Sequence, residues 1–464
     1  MNQLATTSPL PIAALRTQFQ GSLVAPDDPD YADASTVRTG AVGRPAVIIR
    51  AAATADVARA IALARETGLE LAVRSGGHSA ASHGTTDGGI VLDLSAMKDI
   101  EIDVSGRTVW AEAGLTAAEL TTSVGEHGLA IGFGDTGSVG IGGITLGGGV
   151  GFLSRKYGLT IDNLLAVDVV LADGRVVRAD DHQEPDLFWA IRGGGGNFGV
   201  ATRFQFRLHE APGVVGGMLM LPATPETIAG FVAAAEAAPD ELSTIANVMS
   251  APPMPFVPAE VHGKLVVLAF MAYAGDAAAG QAALAPFRTL ATPIVDMVRP
   301  MAYRELFPPA DPGYRPIGVN RTLFLDHIDE AVGRVLLDRL DEHLRTTNAL
   351  LVAAQLRVLG GAIARVPVDA TAYAHRGNRI MVNFAATVPS RADIRAHERW
   401  LRDVAAAVDQ GVEGAYVNFV GDEGPDRARA AYPGTTWERL ARIKRQYDPA
   451  NLFHRNQNIP PAEA

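Results

Sequence analysis

Cysteine is absent from the chain, and disulfides, thiolate nucleophiles, zinc-cysteine clusters and iron–sulfur centres go with it. Basic residues are in the minority. Forty Lys and Arg stand against 51 Asp and Glu, a net charge of -11, and no basic face suited to a phosphate backbone is evident. Nucleic acid is therefore not an expected partner. Long apolar runs are missing as well. The longest, such as Leu265 to Ala272, fall well short of the roughly 20 residues that cross a bilayer. Met1 to Gln20 carries no basic stretch followed by an apolar core, so neither a membrane span nor a signal peptide is expected. No repeat, no low-complexity tail, no metal-ligand set and no obligate protein partner can be read. The expectation is a soluble, cytoplasmic protein.

What is abundant is glycine, 48 residues in a chain of 464, a length that suggests two or three domains. The first informative stretch is Arg74-Ser75-Gly76-Gly77-His78-Ser79, which follows the apolar run Leu69 to Val73, read as a strand. Glycines where a strand breaks into a loop allow positive φ and let N–H groups converge on an anion such as a diphosphate. Arg74 could neutralise that anion, and His78 would be held beside whatever carries it.

Local patterns set out the rest. Ala53 to Gly68 has helical spacing and a closing glycine, Ile90 to Leu94 and Arg107 to Ala113 read as strands, and Thr116-Ala-Ala-Glu119 is a capping box for a helix running to Gly128. Gly132 to Gly151, GFGDTGSVGIGGITLGGGVG, is expected to be loop and tight turn without helix. Leu165 to Ala179 reads as a hairpin turning at Asp173-Gly174, Leu187 to Ile191 as a short helix, and Val200 to Leu208 as a strand. From about Ala211 helices (225–237, 276–289, 327–346) alternate with strands (265–274, 349–358, 379–386), and a further capping box at Ser390 to Asp393 opens a long helix. This pattern predicts α+β architecture, with helices on one face of a mostly antiparallel sheet.

Gly140-Ile-Gly142-Gly143 invites a Rossmann reading. That fingerprint needs a strand before it, a helix directly after and an acidic residue about twenty positions on, whereas here more glycine follows. A nicotinamide-dependent enzyme is accordingly disfavoured.

RSGGHS, the block GxxGxVGIGGxxLGGGxGxLSRKYGLTIDN, DLFWAIRGGGGNFGV and YDPANLFHRNQNI together resemble the flavin-dependent oxidases of the vanillyl-alcohol oxidase superfamily with a PCMH-type FAD-binding domain. Within it they are most similar to the berberine-bridge-enzyme-like group and its hydroxynicotine-oxidase-type bacterial members. The likeness covers roughly residues 40–210 and 412–460. It implies an FAD-binding domain of two α+β subdomains over 1–210, a substrate-binding domain over 211–411, and a segment, 412–464, returning to the first.

The resemblance further implies FAD bonded covalently through His78, against the alternative of a histidine merely hydrogen-bonded in a turn. Thr136 stands where many relatives carry a second, cysteinyl link, so one tether is the maximum. Arg74, Ser75, Gly76, Gly77, His78, Ser79, Thr136, Gly137, Gly140, Gly142 and Gly143 would line the pyrophosphate and isoalloxazine. Val200 would serve the adenine side, Asn456 and Asn458 would close over the ring, and Val139 would stand at the dioxygen gate. Tyr416, in a Tyr-x-Asn motif with Asn418, would be the base that takes a proton as hydride leaves the substrate, or else a core tyrosine with a satisfied hydroxyl. Gln355 and Arg357 share a strand face expected to line the substrate pocket, with Tyr303 and Arg321 as further candidates. His375-Arg376 is expected to be structural or on the surface.

The expected activity is oxidation of a small organic alcohol or amine, such as a sugar, alkaloid or other natural product, by hydride transfer to flavin, with dioxygen reoxidising it to hydrogen peroxide. Alternatives are a dehydrogenase using another acceptor and a non-catalytic flavin-binding protein.

Overall fold

The computed structural model describes residues 10–463 except 212, 308–310 and 312, and Met1 to Pro9 of the expected leader and first domain lie outside the described residues. The fold is α+β and its strands form three main sheets. The first is built from runs with no polar alternation. Val47–Arg50, Ile90–Asp93 and Leu71–Arg74 pair in parallel in that order, and Ser22–Val24 adds an antiparallel edge. Runs buried on both faces are what a parallel sheet requires. The helix Thr54–Thr67 makes the crossover and stops at Gly68, whose φ of 68° provides the left-handed cap.

The second sheet is antiparallel, ordered Ile100–Asp103, Thr108–Glu112, Val200–Arg207, Leu164–Val170, Val176–Asp180. The hairpin expected at Asp173-Gly174 joins its last two strands. The capping box at Thr116 and Glu119 is present, and its helix spans Ala117–Gly125.

The third sheet has eight strands. Val295–Asp296, Val214–Pro222, Leu265–Tyr273, Leu242–Ser250, Leu351–Val358, Ile380–Val388 and Ile317–Leu325 run antiparallel, and Arg299–Met301 joins Val214–Pro222. Alternation decides its two faces. Ile380, Val382, Phe384 and Ala386 enter the core shared with the helices Pro225–Ala237, Ala277–Arg288, Glu330–Thr346 and Ile394–Ala407. Asn383, Ala385 and Thr387 point the other way, into a cavity.

Two local expectations need correction. A short helix, Ile141–Leu146, does form inside the second glycine cluster. Gly142 is tolerated there because a Cβ would crowd Ala113 O and the Ser75 Cβ, both at 3.2 Å, so the missing side chain lets the helix dock closely. At Ser390 no capping box forms: the serine hydroxyl bonds the Asp393 carboxylate, Arg391–Asp393 is a 3₁₀ turn, and the helix starts at Ile394.

The last segment returns to the first two sheets through the helix Thr435–Tyr447. Lys444, fully buried, donates to Asn197 O at 2.7 Å, Asp448 Oδ2 at 2.6 Å and Phe453 O at 2.9 Å. The Asp448 carboxylate in turn accepts the N–H groups of Leu452 and Phe453. Every donor of the ammonium is thereby satisfied, which is what makes a buried charge tolerable. Among the described residues no helix is long and apolar enough to cross a membrane.

Candidate functional site

Two glycine loops meet at Gly76 and Gly140. A Cβ on Gly76 would fall 2.3 Å from Gly140 N, and one on Gly140 would fall 2.1 Å from Ser75 Oγ, so only glycine permits the contact. The loops open onto a cavity of about 860 Å³ whose other walls come from the third sheet, Gly195 to Ala201, Tyr416 to Val420 and Phe453 to Gln457. That volume is at the upper end of small-molecule and cofactor sites.

His78 lies on this wall, its Nε2 3.0 Å from the Ser138 hydroxyl. Burial, helped by the nearby Arg38 charge, lowers its pKa to about 4, so the ring is neutral at pH 7. Ser75 donates to Ala113 O at 2.6 Å, which pins the loop to the second sheet.

Arg74 lines the cavity, but the neutralising role expected of it is corrected. Its guanidinium is buried against Asp93 at 2.7 Å and Ala34 O at 2.8 Å, so its charge is already opposed and is not available to neutralise a diphosphate.

Tyr416 is 2% exposed. Its hydroxyl oxygen accepts the N–H of Gly149 at 2.9 Å, that of Val150 at 3.3 Å and the Asn418 amide at 3.0 Å. Among the described residues it finds no acceptor. Burial, the largest effect, holds the phenol above its ordinary range, and the three donors and the Arg357 charge oppose that rise without cancelling it.

Arg357 is on the wall, with its Nε 3.0 Å and one NH2 group 2.8 Å from Gln355 Oε1. Gln355 supports the arginine and does not itself line the cavity. The same guanidinium meets Asp135 Oδ2 at 2.5 Å, a partner from the second glycine cluster that no sequence pattern marks.

Ser79, Gly77, Thr136, Gly137, Val139, Gly142, Gly143, Val200, Asn418 and Asn456 also line the cavity. Asn458 does not, its place beside Asn456 being taken by Gln457. Two further substrate candidates are corrected. Tyr303 packs edge-on against Phe307, 5.4 Å between ring centroids, in an apolar cluster away from the cavity, and burial raises its phenol. Arg321 is ion-paired with Glu423 beside a separate pocket. His375 and Arg376 are structural: both are buried, bonded to Ala431 O and to the Asp162 carboxylate. The cavity wall also includes His83, Ser138, Asn320, Asn383 and Arg455, which local sequence does not single out.

Comparison with known proteins decides the family. A profile described as an FAD binding domain matches residues 45–180, and one described as berberine and berberine like matches 415–460. An FAD-linked oxidoreductase of Dictyostelium discoideum is 33% identical over 91% of this chain and 90% of its own. The chain belongs to the berberine-bridge-enzyme-like FAD-linked oxidases. Solved relatives of this FAD-linked oxidoreductase include 6-hydroxy-D-nicotine oxidase from Arthrobacter nicotinovorans, with TM-score 0.84 and 26% identity over 96% of this chain and 98% of that one. Xylooligosaccharide oxidase from Myceliophthora thermophila, in complex with xylobiose, gives TM-score 0.84 and 25% identity over 98% and 100%.

The cavity fits FAD on its own terms. A Cβ on Gly143 or Gly196 would meet nothing within 4 Å, so these backbones face open space on the wall. Both ring nitrogens of His83 and the Asn456 side-chain oxygen are buried on the same wall with no partner among the described residues. Orphaned polar atoms around open space are what a polar, hydrogen-bonding ligand would satisfy.

Proposed function

We propose that this FAD-linked oxidoreductase is an oxidase of small organic alcohols or amines, with FAD tethered through His78 and dioxygen as the electron acceptor. The observation that carries the reading is Tyr416, whose oxygen is the target of three N–H donors on the wall it shares with His78.

Residues 1–210 and 412–464 would hold the cofactor and 211–411 the substrate. Bound FAD would supply the hydride acceptor, with dioxygen as the final oxidant reduced to hydrogen peroxide. Tyr416 Oη would take the proton of a substrate hydroxyl, its three donors and the Arg357 charge offsetting part of the burial that disfavours its anionic form. The neutral His78 ring is in the protonation state a nucleophile needs, and Ser138 holds Nε2, leaving Nδ1 for a bond to the cofactor. No cysteine exists for a second link. Val139, with a short branched side chain on the wall, would stand at the path of dioxygen. Ser75, Gly76, Gly137, Gly140, Gly142, Gly143, Val200 and Asn456 would hold the cofactor.

The substrate would lie against Arg357, Asn320, Asn383 and Thr387 on the third sheet. The test is peroxide release from the purified protein across a panel of sugars, secondary alcohols and alkaloid amines. Turnover with an artificial acceptor but no oxygen consumption would replace oxidase by dehydrogenase, and no turnover with any substrate would favour a binding protein.

A further inference from the structure

We propose that Asp135 and Arg357 are a positioning pair that sets the acidity of Tyr416, Arg357 by its positive charge and Asp135 by cancelling part of it. Arg357 is 3% exposed and every side of its guanidinium is engaged. One NH2 group bonds Asp135 Oδ2 and Gln355 Oε1, Nε bonds Gln355 again, and the other NH2 group donates to Val150 O at 3.3 Å. Val150 is also the residue whose N–H reaches the Tyr416 hydroxyl, so the arginine fixes a donor of the phenol. The guanidinium carbon lies 5.3 Å from the centre of the Phe419 ring, and Phe419 meets Tyr416 edge-on at 5.1 Å.

A cation held by four contacts beside a buried phenol acts through a low dielectric, where its field is weakly screened. Asp135, from the second glycine cluster, is the charge that opposes it. The other titratable and charged groups around Tyr416 are few among the described residues. Tyr373 faces it edge-on at 6.1 Å, with Arg376 behind that ring and paired to Asp162. His375 packs edge-on against Tyr373, 5.6 Å between ring centroids. Asp135 also acts on His78, favouring its charged form.

The pair rests on the reading of Tyr416 as proton acceptor only for its catalytic meaning, so the experiment reads the phenol directly. Tyrosine ionisation is followed by ultraviolet difference absorbance in the holoenzyme, with Tyr416→Phe subtracted as the blank. The proteins compared are wild type, Asp135→Asn, Arg357→Gln and Arg357→Lys. Asp135→Asn is expected to lower the Tyr416 midpoint and Arg357→Gln to raise it, each by about one pH unit, with Arg357→Lys close to wild type.

Opposite displacements support the pair. Displacement in one direction by both variants, or no movement of the Tyr416 signal in any protein, overturns it. Should Arg357→Gln fail to fold, Asp135→Asn decides: a lowered Tyr416 midpoint with Arg357→Lys close to wild type supports the pair, and a raised or unmoved midpoint overturns it. Turnover indifferent to Tyr416, alongside opposite displacements, would remove the tyrosine from catalysis and leave the pair standing.

Discussion

The N–H of Gly149 donates to the Tyr416 hydroxyl at 2.9 Å, joining residues 267 positions apart. Replacing Tyr416 by Phe strands that donor, the Val150 N–H and the Asn418 amide, at a cost of about 1–3 kcal/mol. If Tyr416 is the base, kcat falls a further 10²–10⁴-fold, roughly the contribution of one positioned general base. Thermal unfolding and steady-state kinetics on the same preparation separate the two effects.

His78→Ala is expected to leave a protein whose yellow colour is lost on acid precipitation, while wild type keeps it on the polypeptide. A peptide containing position 78 should carry the mass of the flavin in wild type. Colour released from wild type by acid would end the tether.

Gly140→Ala tests the meeting of the two loops. Gly140 has φ of -70°, so backbone strain is no obstacle, and the cost comes from the Cβ at 2.1 Å from Ser75 Oγ and 2.3 Å from Gly76 N. Overpacking of this kind costs about 1–3 kcal/mol. Flavin content per chain should drop more than the melting temperature does, and unchanged content would mean the loops adapt without disturbing the site.

Lys444→Met leaves the Asp448 carboxylate buried and without its counter-ion, which is expected to destabilise by about 3–5 kcal/mol in urea unfolding. Lys444→Met combined with Asp448→Asn removes the unpaired charge and keeps an acceptor for the Leu452 and Phe453 N–H groups, and should recover part of that loss.

His343 and His397 share a hydrogen bond of 2.8 Å between two helices of the third-sheet layer, with Trp400 stacked 4.0 Å from His343. Burial, with His397 adding to it, lowers the His343 pKa from 6.5 to about 4, and His397 is lowered by burial as well. Between those values the unfolded chain binds the proton and the folded one does not, so stability falls as pH drops from 6.5 towards 4. Melting temperature against pH should decline over that window, and His343→Gln should flatten the decline.

Much of the cavity wall was legible because its motifs are contiguous in the sequence. Paired glycines after a strand suggest an anion cradle by themselves, whereas His78 and the Tyr-x-Asn motif took their expected roles from the family resemblance. Asp135 and Ser138 carry no such signal: each acquires its role from a partner 222 or 60 positions away, and no periodicity marks such a pair. The helix Ile141–Leu146 was hidden by glycines that disfavour it locally and that close docking selects. Val214–Pro222 was hidden too, since Gly216, Gly217 and Pro222 interrupt the alternation that identifies a strand. Arg74 was misjudged because its neighbour Asp93 belongs to a strand that pairs with it only in the folded sheet.

The cavity takes its walls from residues as far apart as Arg38 and Gln457. During translation the glycine loops leave the ribosome long before Tyr416 and Asn456 exist, so at that stage the nascent chain has a cradle with one side missing. The cradle gains its missing side only when the last segment, seated by the Lys444 clasp, closes over the glycine loops.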